Sequence, residues 1–590
     1  MPAWHAWAVL ALLLVVVVLF AIEKLRVDLV ALIGLCALIG MGILTPDEAF
    51  GGFGTSTLVM LASVFVIGGA LQETGVLEWL ASRLIRFLPR TEGWQVLGLM
   101  IVAAALSAFM NNTTVTAMLV PLSVGLARRT GVAPSRLLMP LAFASILGGT
   151  CTLIGTSTNV AVSGYVSTKA GLAPFGLFEI TPLGLVFVGV GVAYMVLVGR
   201  HLLPRHPEED LADDFGMRGF LSEIVLQPGS PLVGRSVSDS DLARMEFRVL
   251  KVVRSGRGFV PDADTLLEAG DVLLVTGNVA NLMKVKTTEG IEIRPELKWG
   301  DADLKRVGLE LAEVVVSPRS TLIGRTLREA RFQQEFRLTV LAIYRAGRSL
   351  RDRISRIRLH AGDLLLVQGR LEALDEVRGR RDLAVLAERG PADPAWRKPL
   401  LAMGIFGVAL VLGGLEIVPS AAAFLMAAVM MVLAGCLRPL RLYEHVEWRL
   451  LVLIGSMFAF GRAMDHSGAA DLLSRWVVDL VGHHGHLAVL AGFCLLTVLL
   501  TQPMSNAAAA LVVLPVSLKA AGQLGIDPRA MAVAVMISAS TSLVTPLEPS
   551  SVLVFGPGKY RFADFLRVGF PLTLLLLGIM LWLLPRWWPL

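Results

Sequence analysis

Four polar residues, Asn111–Thr114, interrupt the apolar segment SAFMNNTTVTAMLVP at residues 107–121. An amide or hydroxyl group that enters hydrocarbon without a hydrogen-bond partner costs roughly 2–7 kcal/mol. Asn and Thr supply neutral donors and acceptors, so they can contact both cations and anions without a fixed side-chain charge. Their chemistry predicts a buried site for small ions.

The same pattern is repeated near the C-terminus. Residues 111–145 align without a gap with residues 505–539, so that Asn112 falls on Asn506. Two prolines of the first copy also fall on prolines of the second copy. The polar cluster is therefore a feature of an internal repeat.

Each copy belongs to an apolar stretch that polar residues interrupt near its midpoint, and a second interrupted stretch follows. The first pair of stretches is 94–127 and 136–166, and the second pair is 485–521 and 529–555. Each half of 94–127 or 485–521 is short for a hydrocarbon core of about 30 Å. We therefore predict two re-entrant hairpins with asparagine at their tips, each followed by a broken helix.

The two predicted breaks differ in their residues. TLIGTSTNV contains Gly155 among polar residues, whereas STSLVTPLEPSSV contains Pro546 and Pro549, which lack the N–H group that a helix needs. Broken helices expose N–H groups, which favour an anion, and carbonyl groups, which favour a cation. Glu548 lies in the second break, and a carboxylate at membrane depth is functional by default. It is either a cation ligand or proton acceptor that couples transport, or a hydrated residue of a loop nearer the cytoplasm.

The rest of the chain must position these residues in a membrane. Only 17% of the residues are charged, and the mean hydropathy of +0.69 indicates a polytopic membrane protein rather than a soluble enzyme. The net charge of +6 is explained by basic loops beside the membrane and requires no nucleic acid. The stretches that could span, including the two broken helices, are 6–22, 28–44, 57–73, 136–166, 178–202, 397–415, 419–436, 449–466, 529–555 and 568–585.

Basic residues predict how the halves are oriented. Arginines flank the first hairpin on both sides, which places its ends in the cytoplasm by the positive-inside rule. Five spans and one hairpin per half, with an outside N-terminus, satisfy the charges of both halves. An odd number of spans then separates the entry faces of the hairpins. We therefore predict two inverted repeats, 1–203 and 397–590, an organisation typical of secondary transporters.

A polar block separates the repeats and is itself duplicated. EIVLQPGSPLVGRSV (223–237) is similar to EVVVSPRSTLIGRTL (313–327), and GDVLLVTG is similar to GDLLLVQG. Short β-branched runs predict two small α+β domains, 204–300 and 301–396, on the cytoplasmic side. Because the chain lacks both GxGxxG and GxxxxGK[ST], neither a Rossmann site nor an ATP-driven pump is indicated.

At FMNNTT, GGTCTLIGTSTN, MSNAAAA and GPGKYRFADFLRVG, the chain resembles the divalent anion:sodium symporter (DASS) family. It is most similar to the branch that carries two TrkA-C-type domains between its membrane halves. The resemblance implies an elevator-type symporter that acts as a homodimer. It also implies Na⁺ as the co-transported ion and no organic cofactor.

The resemblance also implies which residues bind ions and substrate. The implied sodium ligands are Asn111, Asn112, Gly155, Thr156, Ser157, Thr158 and Asn159 in the first half, and Ser505, Asn506, Thr545 and Ser550 in the second half. The implied substrate ligands are Asn112, Thr113, Thr114, Ser505 and Asn506. The second half departs from the family pattern, because Ala507 lacks a hydroxyl and Glu548 begins an unusual sequence. The sequence therefore does not decide whether the second sodium site is present.

The expected protein is a sodium-coupled symporter of sulfate or a C4-dicarboxylate, not an enzyme, in the inner membrane. Its expected partners are the lipid bilayer, a second copy of the chain and a small-molecule ligand at the TrkA-C-like domains. Three alternatives remain: a proton-coupled anion transporter, a sodium/proton antiporter of the same superfamily, and a membrane regulator that senses a ligand.

Overall fold

The structure is a computed structural model in which the chain forms two compact units, Met1–His206 with Leu386–Leu590, and Pro207–Val385. The described residues are 4–22, 25–76, 79–80, 83, 89, 91–168, 172–204, 221–237, 248–254, 257–259, 261–262, 264–276, 291–294, 309–318, 320–345, 348–350, 354–378, 380, 382–386 and 397–588. The domain boundaries predicted at residues 300 and 396 lie outside them.

The described part of the larger unit consists of helices joined by turns and short non-helical segments. Its N-terminal half contains α1 (Trp4–Ile22), α2 (Val27–Gly40), α3 (Pro46–Phe50), α4 (Ser56–Glu73), α5 (Glu92–Ser107), α6 (Asn112–Thr130), α7 (Ser135–Gly148), α8 (Ser157–Ser167) and α9 (Thr181–Leu202). A π-helical turn, Met195–Gly199, lies within α9.

The C-terminal half follows the same order. The helices α10 (Phe332–Phe336) and α11 (Leu371–Arg378) precede it in the chain and lie in the described part of the smaller unit. The helices of the C-terminal half are then α12 (Arg397–Gly414), α13 (Ser420–Leu433), α14 (Leu442–His445), α15 (Trp448–Ser467), α16 (Ala469–Val481), α17 (His486–Leu500), α18 (Asn506–Leu524), α19 (Pro528–Ser540), α20 (Pro549–Phe555) and α21 (Phe562–Trp587).

Equivalent residues begin and end equivalent helices. Asn111 caps α6 and Ser505 caps α18, each by accepting a hydrogen bond from an N–H group of the first turn. Both helices end at a glycine with φ of +71°, Gly131 and Gly525. Only glycine adopts this left-handed conformation without strain. The repeat in the sequence is thus also a repeat in local structure.

Five of the described helices, α1, α4, α9, α18 and α21, are long and apolar enough to cross a membrane, judged by length and composition. Two predicted spans are shorter than expected. The stretches 28–44 and 419–436 are helical only to Gly40 and Leu433, because Gly42 and Gly435 adopt positive φ angles and turn the chain.

The helix α16 was not predicted from the sequence. Polar residues recur along it at helical spacing, so it contains no continuous apolar run. Ser474 accepts a hydrogen bond from Gln523 of α18 at 2.9 Å, and Asp471 lies 3.4 Å from Lys519. This amphipathic helix therefore packs beside the second hairpin.

A short helix from each half packs against helices of the other half. The helix α8 of the first half packs against α18 and α19 of the second half, and α20 of the second half packs against α6 and α7 of the first half. Likewise α4 packs against α13, and the equivalent α15 packs against α2. The core is therefore shared by both halves rather than divided between them.

Two arginines mark the opposite ends of α9. Arg136, at the start of α7, donates to the Arg200 carbonyl near the end of α9. Arg529, at the start of α19, binds Glu179 just before α9 at 2.6 and 2.8 Å. The equivalent helices α7 and α19 thus begin at opposite ends of the same 22-residue helix, which is roughly 33 Å long.

The described residues of the smaller unit form two antiparallel sheets. The first has the strand order β3-β2-β4-β1-β5 and the second has the order β10-β6-β9-β7-β8, which is the same topology read in reverse. The strands are β1 (Leu221–Leu226), β2 (Arg248–Arg254), β3 (Arg257–Phe259), β4 (Val272–Thr276), β5 (Ile291–Arg294), β6 (Leu309–Val316), β7 (Leu338–Arg345), β8 (Arg348–Leu350), β9 (Leu364–Arg370) and β10 (Leu383–Val385).

An equivalent ion pair between an arginine and a buried aspartate is present in both sheets. Arg254 donates two hydrogen bonds to Asp271 at 2.7 and 2.8 Å, and Arg345 donates two to Asp363, both at 2.7 Å. Both aspartates are at most 1% exposed. A carboxylate that is buried beside a strand needs such a partner, so the duplicated Gly-Asp motif is explained by this pair.

Candidate functional site

The tip of the first hairpin lies between α5 and α6. The Ser107 hydroxyl donates to Asn112 Oδ1 at 2.9 Å, and Asn111 Oδ1 accepts from the Thr113 N–H at 2.9 Å. Asn112 is buried, whereas Asn111, Thr113 and Thr114 are half-buried. The polar cluster therefore shapes the turn and also leaves side-chain groups accessible.

The first break packs directly against this tip. The Thr152 hydroxyl donates to the Ala108 carbonyl. A Cβ atom on Gly149 would lie 2.5 Å from Asn112 Oδ1, and one on Gly155 would lie 2.5 Å from the Gly149 carbonyl oxygen and 3.0 Å from that of Ala108. Because the atoms near Gly155 belong to the backbone and cannot rotate away, glycine is required there. A side chain at Gly149 would instead displace the side chains of Asn112 and Thr156.

Asn159 holds the bend of the first break. Its Nδ2 group donates to the carbonyl oxygens of Gly149 at 3.1 Å and Thr152 at 2.9 Å, and its side chain is fully buried. Thr156 accepts from the Asn159 N–H at 3.2 Å and so caps α8. Thr158 is also buried, whereas Thr156 and Ser157 are half-buried.

The tip and the break together form a cluster of oxygen atoms. Its members are the carbonyls of Ala108, Gly149 and Thr152 and the side-chain oxygen of Asn112. Carbonyl and amide oxygens are the ligands that hard cations prefer. The arrangement can hold a cation without an acidic side chain.

The second tip contacts its break through side chains. Gln502 Oε1 accepts from the Thr545 hydroxyl at 2.8 Å, and Gln502 Nε2 lies 3.5 Å from the Ser542 hydroxyl oxygen. Ser505 is exposed and Asn506 is half-buried, whereas Thr545 and Ser550 are buried. The second half thus repeats the contact between tip and break with different chemistry.

Glu548 caps α20 within the second break. Its carboxylate accepts from the N–H groups of Ser550 at 2.7 Å and Ser551 at 3.3 Å, and from the Ser550 hydroxyl at 3.3 Å. The residue is 9% exposed, so the interpretation of Glu548 as a hydrated loop residue is wrong.

The two breaks meet at one side-chain contact. The Ser540 hydroxyl, at the end of α19, donates to Asn159 Oδ1 at 3.3 Å. In the part of the chain that the structure describes, no hydrogen bond joins Asn112 directly to Ser505 or Asn506. The two asparagine tips are therefore connected through the breaks.

Two site residues were missed in the sequence. Glu447, which precedes α15, accepts a hydrogen bond from Asn111 Nδ2 at 3.2 Å. Gln502 lies four residues before Asn506, and its polarity within the apolar stretch was a usable signal. Glu447 carried no such signal, because 336 residues separate it from Asn111.

Known transporters resemble the chain, some of them over nearly its whole length. An uncharacterized transporter of Synechocystis is 34% identical over 96% of this chain and 94% of its own length. The uncharacterized transporter YfbS of Escherichia coli is 30% identical over 98% of this chain and 99% of its own. Sodium/sulfate cotransporter 1 of Chlamydomonas reinhardtii is 30% identical over 55% of this chain and 39% of its own.

A solved structure, that of the YdaH transporter of Alcanivorax borkumensis, aligns with 99% of this chain and 97% of its own at 17% identity. Its TM-score of 0.47 is too low to establish a common fold. The citrate transporter (CitMHS) family profile matches residues 17–537 and 462–590. The chain is therefore a multi-pass membrane transporter, not an enzyme, and belongs to the citrate transporter family.

Proposed function

We propose that the protein couples sodium entry to the uptake of a small divalent anion, with sulfate or a C4-dicarboxylate as the substrate. One observation carries this proposal: each half packs a hairpin tip against a broken helix, and the Asn159–Ser540 hydrogen bond joins the two breaks. The name of the algal relatives supports sodium and sulfate, and the family description adds citrate as a third anion to test.

The first sodium site is proposed at the oxygen cluster between tip and break. Its ligands are drawn from Asn111, Asn112, Gly155, Thr156, Ser157, Thr158 and Asn159. The Ala108 and Gly149 carbonyl oxygens add backbone ligands, because both face Gly155. A neutral cage of this kind binds sodium through dipoles and releases it again without a change in protonation.

A second sodium site is proposed at Ser505, Asn506, Thr545 and Ser550. It is supported by the contact of Gln502 with Thr545, which brings the second tip to its break. Glu548 adds a charge that the first site lacks. For this reason a proton remains the alternative coupling ion in this half.

The anion is proposed to bind Asn112, Thr113, Thr114, Ser505 and Asn506. The helices α6 and α18 begin at these residues, and their N–H groups carry the positive end of the helix dipole. With no basic side chain among these five residues, the anion depends on co-bound cations for charge compensation. Substrate affinity should therefore rise steeply with sodium.

The inverted arrangement of the repeats is supported by Arg136 and Arg529, which bind opposite ends of α9. We further propose an elevator mechanism in a homodimer, in which the hairpins and broken helices move against the remaining helices. The smaller unit is proposed to contain two cytoplasmic TrkA-C-like domains that regulate transport through a small-molecule ligand. Its two sheets of equal topology agree with such a duplication.

Uptake by purified protein in liposomes tests the proposal. Radiolabelled sulfate, succinate and citrate are offered with a gradient of sodium, lithium or protons alone. We expect concentrative uptake of at least one anion that requires sodium. Uptake with a proton gradient alone would favour proton coupling, and proton release driven by sodium without an anion would indicate an antiporter. If no anion were taken up under any gradient, the symporter proposal would be wrong, and the interpretation of the protein as a ligand-sensing membrane regulator would be favoured.

A further inference from the structure

A buried tyrosine hydroxyl forms hydrogen bonds with two backbone groups in the first turn of α7. Tyr560 follows α20, and its hydroxyl donates to the Ser135 carbonyl and accepts from the Met139 N–H, the latter at 2.8 Å. Residues 135 and 139 are the two partners of a single i to i+4 hydrogen bond of the helix. Because Tyr560 is fully buried, water does not compete for these backbone groups.

The first turn of α7 needs such support from outside. Pro140 lacks an N–H group, so the Arg136 carbonyl is left without its usual helical donor. The Arg136 guanidinium binds the Arg200 carbonyl of α9 and Glu92 of α5, the latter at 3.2 Å. These contacts all come from the N-terminal half, whereas Tyr560 comes from the C-terminal half.

The conformation of the turn before Tyr560 positions this hydroxyl against α7. A Cβ atom on Gly558 would lie 2.1 Å from the tyrosine ring, and Lys559 adopts a φ of +53°. The ring packs edge-on against Phe565 at 5.6 Å, and Phe565 also contacts Phe143 of α7 at 6.1 Å. The GPGKYRF motif therefore has a physical explanation in the position of one side chain.

We propose that Tyr560 is a positioning residue that pins α7, which leads into the first break, to the loop that follows the second break. The pin makes the two broken helices shift as one body. This inference rests on the proposed function, because a joint shift has a consequence only in a transporter. The residue acts through α7 and touches neither ion nor substrate.

Hydrogen exchange of the full chain in detergent tests the pin itself. In Tyr560→Phe, the amides around Met139 lose an acceptor and should exchange about tenfold faster. Tyr194→Phe is the matched control, because its hydroxyl donates to the Val568 carbonyl at 3.0 Å and does not touch α7. Unchanged exchange around Met139 in Tyr560→Phe would overturn the proposal. This measurement needs no substrate. It therefore tests the contact between Tyr560 and α7 even if the protein takes up no anion.

Uptake kinetics test the coupling. In Tyr560→Phe, the maximal rate per folded protein should fall about tenfold, because the conformational step is slowed. The KM values for sodium and the anion should stay within about twofold, since the pin is at the opposite end of α7 from the break. An unchanged maximal rate, or a change confined to KM, would contradict the positioning role. A loss of folded protein alone would leave the rate per folded molecule unchanged.

A second variant tests the same contact in case Tyr560→Phe does not fold. Gly558→Ala keeps the hydroxyl but forces the ring out of its place, so it should reproduce both effects. Gly578→Ala is its control, because a Cβ atom there meets nothing within 4 Å. If Gly558→Ala left both exchange and rate at the wild-type values, the proposal would be wrong.

Discussion

At the first break, a single side-chain amide holds a bend that the backbone cannot close by itself. Asn159 donates to two carbonyls of the bend and accepts from Ser540 of the other half. A neutral amide suits this task, because it offers donors and an acceptor without the cost of burying a charge. At the second break an ionisable side chain is present instead, in Glu548, where its carboxyl group caps a helix.

Glu548→Gln tests whether that charge couples transport. Glutamine keeps an oxygen that can cap α20, so the protein should fold. If the carboxylate takes part in coupling, uptake should lose its dependence on pH across the neutral range, or the KM for sodium should rise about tenfold, which is about 1.4 kcal/mol. Uptake assays over pH and sodium concentration provide the measurement.

Glu48→Gln is the control for this variant, because Glu48 also accepts a hydrogen bond at the N-terminus of a short helix, α3, but is only half-buried there. A pH profile and an ion dependence that both match the wild type would exclude Glu548 from coupling.

At the scale of elements, close packing between the first hairpin and its break makes the candidate site. The contact depends on two glycines, Gly149 and Gly155, rather than on polar side chains alone. A side chain at Gly155 would meet backbone carbonyls of the tip and of the break, and one at Gly149 would displace the Asn112 side chain of the tip. The site therefore depends on the absence of side chains at these glycines as well as on the polar side chains.

Gly155→Ala should abolish sodium-dependent uptake or raise the KM for sodium at least about tenfold. The added methyl group would lie 2.5 and 3.0 Å from two carbonyl oxygens, and backbone atoms cannot rotate away. Gly68→Ala, whose Cβ atom meets nothing within 4 Å, is the control. Normal sodium affinity in Gly155→Ala would place the cation elsewhere.

The sheets of the smaller unit should lose stability in acid. Burial raises the pKa of Asp271, but the bonds from Arg254 and from the Glu268 N–H outweigh burial and leave the pKa below the usual aspartate value. The carboxylate therefore stabilises the fold above the pKa of the unfolded chain, about 3.9. This contribution is lost as the pH falls through the lower pKa of the folded state.

Calorimetric unfolding of the full chain from neutral pH to about pH 3 measures this effect. Asp271→Asn should unfold at a lower temperature near neutral pH and should show a smaller further decrease in acid. Asp264→Asn, at an exposed position, should behave like the wild type. Equal acid sensitivity of Asp271→Asn and the wild type would show that the pair is not the cause.

At the scale of the whole molecule, the two membrane halves are interlocked. Each half contributes a short helix to the core of the other, and equivalent helices begin at opposite ends of α9. The proposed inversion therefore predicts opposite membrane faces for equivalent residues.

Cysteine labelling tests this orientation. Arg129 and Gln523 are equivalent in the repeat, and both are exposed near the ends of α6 and α18. In a chain without its four native cysteines, a maleimide that cannot cross membranes should label Gln523→Cys in right-side-out vesicles and should label Arg129→Cys only after lysis. Labelling of both from one face would refute the inverted arrangement.

The sequence by itself determined the repeats, the asparagine tips and the presence of breaks, because these depend on local polarity, proline and glycine. It could not determine that Glu447 contacts Asn111 or that Ser540 contacts Asn159, since hundreds of residues separate each pair. It also missed α16, whose mixed polarity leaves no apolar run to detect. Only the tertiary structure decided these contacts, because they arise when helices from different halves pack and bring distant side chains within hydrogen-bond distance.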